Sequence, residues 1–244
     1  MIRKTLHEAL KREQFYPGAL SLFTHPFYFA RKGLLENIKS LSGALTGNVL
    51  DVGCGQKPYR ELFSVASYTG LEFDTPQNRK QKSGDGVFFY SGGAFPFPDK
   101  KFDSVLSTEV LEHVFEPDLL LKEIHRVMKD GGMFLLSVPF VWDEHEQPYD
   151  FGRYSSFGLK YLLEKHGFEI VESKKSMADA RVLCQLINAY IYKISIMKIK
   201  SYRLRLIATV FLIAPFNILG AILARILPKN TDLYLDNVIT ARKK

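Results

Sequence analysis

The spacing of apolar positions changes once near the start of the chain and again near its end. Ala30, Leu34, Ile38 and Leu41 recur at helical spacing, which predicts a helix over residues 28–45. A turn at Phe15-Tyr16-Pro17-Gly18 separates it from a charged first helix. We therefore expect an N-terminal helical cap over residues 1–47.

From Asn48 onward, short apolar runs alternate with helical segments. Strands are predicted over residues 49–52, 68–73, 87–90, 102–107, 133–138 and 168–171, with helices starting at Pro58 and spanning 118–128 and 157–166. This alternation indicates βαβ units and a mostly parallel sheet. Such sheets bind ligands beyond the carboxyl ends of their strands, where the strand order reverses.

A glycine turn, Gly53-Cys54-Gly55, follows the first strand. Glycines let the backbone turn tightly and let a ligand approach closely. Glu72 closes the second strand 21 residues beyond Asp51, where a carboxylate can accept hydrogen bonds from ribose hydroxyls. Pro58 stands where a dinucleotide-binding turn would have its third glycine, which argues against a nicotinamide-dependent oxidoreductase.

A series of motifs over residues 48–173 resembles the class I S-adenosylmethionine-dependent methyltransferases. The motifs are Val49–Gly55, Tyr68–Glu72, Phe95–Asp103, Ser107–Val114 and Glu123–Gly132. The resemblance implies an α/β, Rossmann-like, doubly wound fold with a mostly parallel seven-stranded sheet. Its last strand, expected at Val238–Arg242, would be antiparallel, and its cofactor would be S-adenosyl-L-methionine.

The same resemblance implies a set of cofactor-binding residues at the ends of the first four strands. Asp51 would face the amino group of the cofactor, Glu72 would hold its ribose and Phe73 would lie against its adenine. Ser91 stands where many relatives have an aspartate that contacts adenine. The full set is Asp51, Gly53, Cys54, Gly55, Glu72, Phe73, Ser91, Ser107, Thr108 and Glu109.

The loop after the fifth strand, residues 139–154, is the expected acceptor side. Its candidate catalytic residues are His145, Asp150 and Arg153, with His145 as a general base if the acceptor must lose a proton. Alternatively, Asp150 and Arg153 form an ion pair that braces the loop, and His145 is a solvated loop residue. His113 is a second candidate base, expected instead to cap or brace the helix after the fourth strand. The pattern His-x-x-Pro-Tyr-Asp-x-x-Arg-Tyr resembles methyltransferases found with bacterial surface-glycan enzymes.

The charge is distributed unevenly along the chain. The net charge is +7, made up of +4 over residues 1–50, −6 over 51–180 and +9 over 181–244. An acidic central region argues against nucleic acid as a partner and suits a sulfonium cofactor. Two cysteines exclude a disulfide framework and a four-cysteine zinc site, so no metal is predicted. The charged first residues lack a secretory signal pattern, and we expect a cytoplasmic protein.

Residues 177–236 form an apolar and basic insertion before the last strand, so the predicted core comprises residues 48–176 and 237–244. Val182–Met197 is predicted to be an amphipathic helix with a wide apolar face and one polar stripe of Gln185, Asn188 and Ser195. Leu206–Ala224 is an apolar run, and four basic residues precede it: Lys198, Lys200, Arg203 and Arg205. One interpretation is a helical hairpin on the inner face of the membrane, in contact through residues 182–227. The other is a buried subdomain or a homodimer surface.

The leading hypothesis is an S-adenosylmethionine-dependent methyltransferase that acts on an oxygen of a glycan or lipid-linked acceptor. Its first alternative is methylation of a quinone-like or other small lipophilic metabolite. Its second is a non-catalytic, membrane-tethered module that only binds the cofactor.

Overall fold

The computed structural model describes residues 13–82 and 86–244, so most of the predicted first helix lies outside the described residues. The chain folds as two compact units. The sheet unit comprises Asn37–Phe140, Glu144–Lys174 and Asn237–Lys244. The helical unit comprises the residues up to Glu36, together with Val141–Asp143 and Lys175–Asp236.

Seven strands make up the sheet within the described residues. They are β1 (Asn48–Val52), β2 (Ser67–Phe73), β3 (Val87–Tyr90), β4 (Phe102–Thr108), β5 (Met128–Pro139), β6 (Phe168–Lys175) and β7 (Asp236–Lys243). Their spatial order is β3-β2-β1-β4-β5-β7-β6, mostly parallel with β7 antiparallel. The predicted Rossmann-like fold class is confirmed.

The register of the central strands determines which residues meet at the ligand-binding edge. Asp51 of β1 lies opposite Gly70 of β2 on one side and Leu106 of β4 on the other. All three strands are parallel, so their carboxyl ends lie side by side. The strand order reverses between β1 and β4, which is where sheets of this kind bind ligands.

Helices of the sheet unit cover a core made by the apolar strands. They are α3 (Pro76–Lys82), α4 (Pro117–Val127) and α5 (Ser156–Lys165), and the end of α2 (Tyr28–Leu41) also belongs to this unit. Leu120, Ile124 and Val127 are buried at helical spacing on α4. Ser155 caps α5, because its side-chain oxygen accepts a hydrogen bond from the Gly158 amide.

The helix predicted from Pro58 is wrong. That segment contains only a 3-10 turn over Arg60–Leu62. The Arg60 guanidinium donates to the Phe63 carbonyl at 2.7 Å, which closes the turn before β2 begins at Ser67. Phe63 has an extended backbone, with φ −113° and ψ 115°, so the turn does not continue into a helix.

The helical unit contains α1 (Ser21–Thr24), the start of α2, α6 (Arg181–Ile194), α7 (Tyr202–Leu212) and α8 (Ala214–Ile226). The apolar run predicted over 206–224 is split at Ile213. Pro215 lies in the first turn of α8, where its missing N–H is tolerated, but the same residue cannot continue α7. The small core of this unit includes Phe29, Val182 and Cys184.

Candidate active site

The glycine turn and Glu72 lie against each other at the ends of β1 and β2. The Gly53 and Cys54 amides donate to the Leu71 carbonyl at 2.8 and 3.2 Å, and the Gly55 amide donates to Glu72 Oε2 at 2.9 Å. Gly53 has φ +69° and Gly55 has φ +51°, conformations that favour glycine. A Cβ added at Gly55 would meet nothing within 4 Å, so this part of the turn borders open space.

Asp51 is a buried carboxylate at the same edge. The Tyr68 hydroxyl donates to its Oδ2 at 2.6 Å. The pKa of Asp51 is raised to about 7, mainly by burial; the Tyr68 hydrogen bond opposes this rise and the nearby Glu72 charge adds to it. A cationic group placed beside Asp51 would stabilise the ionised carboxylate.

The loop after β4 reaches the glycine turn. A Cβ at Gly53 would lie 2.3 Å from Val110 Cγ2, so Val110 packs directly on this glycine. The preceding residue, Glu109, has φ +53°, and its amide donates to the Ser137 carbonyl at 3.0 Å. Its Oε1 accepts a hydrogen bond from Ser137 Oγ at 2.7 Å. Strained non-glycine backbone of this kind concentrates at functional sites.

Phe73 presents an aromatic face beyond the end of β2. Its side chain is 45% exposed and stands edge-on to Tyr90, with ring centroids 5.7 Å apart. A Cβ at Gly92 would lie 3.5 Å from the Phe73 ring, which places the exposed Ser91 segment beside it. An adenine ring could stack on a surface of this kind.

The remaining predicted cofactor residues differ in what they present. Ser107 is fully buried, and its Oγ has no hydrogen-bond partner among the described residues. Thr108 ends β4 opposite Ser137 and is partly exposed. The Cys54 side chain is buried against Gly70 of β2, so Cys54 can reach a ligand only through its main chain.

Asp150 and Arg153 form a bidentate ion pair in the loop after β5. The Arg153 guanidinium donates to the two carboxylate oxygens at 2.5 and 2.7 Å, and the His145 amide donates to Asp150 Oδ2 at 2.9 Å. These donors hold the pKa of Asp150 well below its usual range, with the Arg153 hydrogen bonds as the main cause. Asp150 is therefore a poor proton acceptor, and the geometry favours the bracing interpretation.

His113 and His145 meet beside the buried Glu112. Their ring centroids are 4.7 Å apart, and their Nε2 atoms lie 3.7 and 4.0 Å from Glu112 Oε1. His113 does not cap α4, because its Nδ1 lies 2.6 Å from the Tyr149 carbonyl oxygen. The Phe151 amide donates to the Glu112 carbonyl at 2.8 Å, which attaches the loop to the segment after β4.

Two site residues escape prediction from the sequence, namely Tyr68 and Glu112. Tyr68 lies two residues before Gly70 and four residues before Glu72, so all three share one face of β2. This spacing is the sequence signal that could have identified it. The sequence signal for Glu112 was a carboxylate that stands between the apolar Leu111 and the imidazole of His113, a few residues after a buried strand. Neither signal shows which partners the side chain meets.

Residues 50–136 match a protein family described as a methyltransferase domain. The chain contains a class I S-adenosylmethionine-dependent methyltransferase domain. The domain is 38% identical over 96 residues to a fatty-acid O-methyltransferase of Mycolicibacterium smegmatis, covering 36% of this chain and 35% of that protein. It is 34% identical over 137 residues to a sterol 24-C-methyltransferase of Eremothecium gossypii, covering 50% and 34%. The chain thus spans about a third of the length of these curated relatives.

A solved structure extends the likeness beyond the matched domain. A Haemonchus contortus phosphoethanolamine N-methyltransferase, in complex with phosphomonomethylethanolamine and S-adenosylhomocysteine, superposes with a TM-score of 0.53. The two chains are 16% identical over 87% of this chain and 52% of the other, so the likeness shows the fold alone. The two curated relatives are named for O-methylation and C-methylation, so the match leaves open which atom this domain methylates.

The residues at the sheet edge fit S-adenosyl-L-methionine, the cofactor of this class. The cofactor carries an ammonium group, a ribose diol, an adenine ring and a sulfonium centre. The edge offers the buried carboxylates of Asp51 and Glu72, the open side of Gly55 and the exposed ring of Phe73. Each of these groups complements one part of the cofactor.

Proposed function

We propose that the protein transfers the methyl group of S-adenosyl-L-methionine to an oxygen of a lipid-linked acceptor, including lipid-linked glycans. When bound, the cofactor supplies a methyl group activated by a positively charged sulfur. The acceptor oxygen forms the new C–O bond, the C–S bond breaks with its electron pair on sulfur, and the acceptor hydroxyl loses its proton. Alignment of the two reactants can supply roughly 7–11 kcal/mol of the barrier reduction.

The residues at the carboxyl ends of β1 to β4 each receive a role in binding the cofactor. Asp51 receives the ammonium group, Glu72 accepts hydrogen bonds from the ribose hydroxyls and Phe73 lies against adenine beside Ser91. Ser107, Thr108 and Glu109 line the methionine end. Buried carboxylates suit these roles because a cationic or hydroxyl partner offsets the energy of their burial.

The loop after β5 supplies the acceptor side. Asp150 and Arg153 act as positioning residues, because their ion pair and the His145 amide hold the loop in one conformation. His145, the predicted base, lies beside Glu112 and His113 and takes the proton of the acceptor hydroxyl.

The lipid-linked acceptor is proposed because polar side chains are buried and apolar side chains are exposed in the helical unit. Gln185, Asn188 and Asn217 are fully buried. Gln185 Oε1 accepts from the Phe29 amide at 3.0 Å, and the Asn188 amide group donates to Asn217 Oδ1 at 2.8 Å. Large apolar side chains lie outside instead: Leu183 is 53% exposed, Tyr190 66% and Phe211 74%. A helix unit with polar residues inside and apolar residues outside suits a lipid environment.

Basic residues border this apolar surface. Lys198 and Lys200 are exposed in the segment between α6 and α7, and Arg203 is exposed in the first turn of α7. The Arg205 guanidinium donates to the Ile199 carbonyl at 2.8 Å, which stabilises the turn that presents them. Exposed lysine and arginine next to apolar side chains complement anionic headgroups over acyl chains.

The length of the apolar stretch agrees with bilayer contact. Tyr202–Ile226 is long and apolar enough to cross a membrane by length and composition, and most of it is exposed. The break at Ile213 divides it into two shorter helices. We therefore place this surface in the plane of the cytoplasmic leaflet, with Leu183, Phe211 and their neighbours in contact with lipid.

The names of the relatives and the loop pattern support the same acceptor class. One relative is named for O-methylation of fatty acids and another for sterols, both lipophilic. The glycan part of the assignment rests on the loop pattern from His145 to Tyr154. A quinone-like acceptor would use the same surface.

The function is tested by incubating the full chain with radiolabelled S-adenosylmethionine and a crude lysate of its source, followed by solvent partition. Label in the organic phase is the expected result. Label confined to the aqueous phase would refute the lipid acceptor. Absence of label with cofactor affinity intact would favour the non-catalytic module instead.

Flotation with anionic vesicles tests the membrane surface. Wild-type protein should float at low salt, and replacement of Lys198, Lys200 and Arg203 by Gln should reduce flotation several-fold. The matched control replaces Lys80, Lys122 and Lys160, three exposed lysines of the sheet unit, and should float like wild type. Equal flotation of both variants, or a stable homodimer that never floats, would contradict the assignment.

A further inference from the structure

Glu112, His113 and His145, here called the Glu–His–His cluster, place a carboxylate oxygen and one nitrogen of each imidazole within 4.8 Å of one another. All three residues belong to the sheet unit. We propose that this cluster binds one divalent transition-metal ion of the Zn²⁺ type. The proposal departs from the sequence-based expectation of no metal.

The three donor atoms converge on one point. His113 Nε2 lies 3.7 Å from Glu112 Oε1, and His145 Nε2 lies 4.0 Å from the same oxygen. Ligand atoms about 2.0–2.2 Å from a tetrahedral zinc ion are roughly 3.3 Å apart. The two His–Glu distances would therefore shorten by several tenths of an ångström around an ion. The distance between the two histidine nitrogens, which is within 4.8 Å, would shorten by up to about 1.5 Å, which the partly exposed rings can accommodate by rotating.

The far side of each imidazole is held as in a metal site. His113 Nδ1 lies 2.6 Å from the Tyr149 carbonyl oxygen, which can only accept, so Nδ1 carries the proton and Nε2 keeps its lone pair. His145 Nδ1 lies 3.3 Å from Asp150 Oδ2 and 3.5 Å from Arg153 Nη2, so its Nε2 lone pair is available to an ion in the tautomer that donates Nδ1–H to Asp150. Carbonyl and carboxylate partners of this kind orient metal-binding histidines and strengthen their donor nitrogens.

The donor set determines the kind of ion. Two imidazoles and one carboxylate suit zinc, iron, cobalt or nickel better than magnesium or calcium, which prefer oxygen ligands. Three protein ligands also leave a coordination position for another molecule, as in catalytic zinc sites. Glu112 is fully buried while both histidines are partly exposed, so that position faces the histidine side.

A role for the ion rests on the proposed function. A divalent ion that binds the acceptor hydroxyl lowers its pKa, so the proton leaves to water and the oxygen becomes the better nucleophile. With the ion bound, His145 acts as a metal ligand instead of the base that takes the acceptor proton, and Asp150 is a positioning residue that orients it. The site itself can be tested without any acceptor.

Cobalt(II) is the probe. The full-length protein, stripped with chelator, should bind one equivalent of Co²⁺ and develop visible absorption bands of a nitrogen-ligated ion, which Zn²⁺ then removes. His113→Ala and His145→Ala should each weaken Co²⁺ binding by calorimetry at least about tenfold, and Asp150→Asn by a similar factor through the loss of orientation. His166→Ala is the control, because His166 pairs with Asp118 outside the cluster.

Binding of S-adenosylhomocysteine shows whether each variant is folded. The wild-type spectrum tests the proposal even if a variant fails to fold. Protein that binds S-adenosylhomocysteine but shows no saturable Co²⁺ binding, or equal affinity in wild type and His145→Ala, would overturn it. Metal binding without methyl transfer in the lysate assay would instead count against the proposed function alone.

Discussion

Two carboxylates, those of Asp51 and Glu72, are buried at neighbouring strand ends, where each charge acts on the other. Burial is the main reason that the pKa of Asp51 rises to about 7. A folded-state pKa above the unfolded value means that the stabilising contribution is complete at low pH and lost as the pH rises through about 7. Without cofactor, ionised Asp51 therefore destabilises the fold.

Asp51→Asn should make the cofactor-free protein more stable at pH 8 and bind the cofactor less well. The neutral amide removes a buried charge, and a pKa shift of this size corresponds to about 2–4 kcal/mol in the free energy of unfolding. This gain disappears toward pH 4, as Asp51 becomes protonated in both states. Urea unfolding at pH 5 and pH 8, with and without S-adenosylhomocysteine, measures both effects.

Asp74→Asn is the matched control at the end of β2. Its Arg79 partner lowers the pKa of Asp74, so this substitution should have a small effect of the opposite sign and leave cofactor affinity unchanged. Unaltered cofactor affinity in Asp51→Asn would refute the role assigned to Asp51.

The two glycines of the turn should respond differently to alanine. Both have positive φ, which costs about 1 kcal/mol in a non-glycine residue. Gly53→Ala also forces Val110 to move, since its Cβ would lie 2.3 Å from a Val110 methyl, so it should lose more stability than Gly55→Ala. Gly55→Ala should mainly weaken cofactor binding. Thermal unfolding and calorimetry separate the two losses, and equal effects in both variants would contradict this account.

At the scale of elements, α6 and α8 are joined by buried amides rather than by an apolar interface alone. Asn188 donates to Asn217, and the Asn217 amide group donates to the Leu22 and His25 carbonyls at 2.9 and 3.3 Å. One side chain on α8 thus satisfies backbone groups near α1 and a side chain on α6. These hydrogen bonds hold the helices in one arrangement, while Asn188 Oδ1 has no hydrogen-bond partner among the described residues.

Asn217→Ala should destabilise the helical unit by about 2–4 kcal/mol, because it leaves the buried Asn188 amide group and two partly buried carbonyls without their partner. Hydrogen exchange of the α6 and α8 amides measures this locally, which matters because two units need not unfold together. Asn230→Ala removes an exposed side chain whose oxygen accepts from the Asp232 amide, and it should change exchange little. Similar exchange in both variants would show that the amide network contributes no stability.

At the scale of the whole molecule, charge and polarity divide between the two units. The acidic middle of the chain forms the sheet unit with the cofactor site, and the basic last quarter supplies most of the helical unit. The proposed cofactor site and the proposed lipid-binding surface therefore consist of different residues.

We expect these two activities to be separable. Replacement of Lys198, Lys200 and Arg203 by Gln should leave the affinity for S-adenosylhomocysteine unchanged, whereas raised salt should weaken vesicle binding of the wild type several-fold through screening. Calorimetry and flotation across a salt series provide the measurements. Loss of cofactor affinity in the variant would show that the basic residues serve the sheet unit.

The sequence by itself determined the α/β class, the approximate strand positions and the placement of the glycine turn and Glu72 at the ends of β1 and β2. These features depend on local signals: the apolar period, the glycine turn and the carboxylate at the end of β2 each lie within a few residues of one another. The local signal was wrong for the Pro58 helix, because the backbone is already extended at Phe63, where the Arg60 guanidinium donates to the carbonyl and closes a single turn.

Only the tertiary structure decided what meets across long separations in the chain. Glu112 and His145 come together because β4 and β5 are parallel neighbours whose following loops meet at one edge. Likewise, the period of α6 predicted an amphipathic helix, but the hydrogen bonds of Gln185 and Asn188 decided that its polar side packs inward. A period reveals that a helix has two faces, and the partner elements determine which of them is buried.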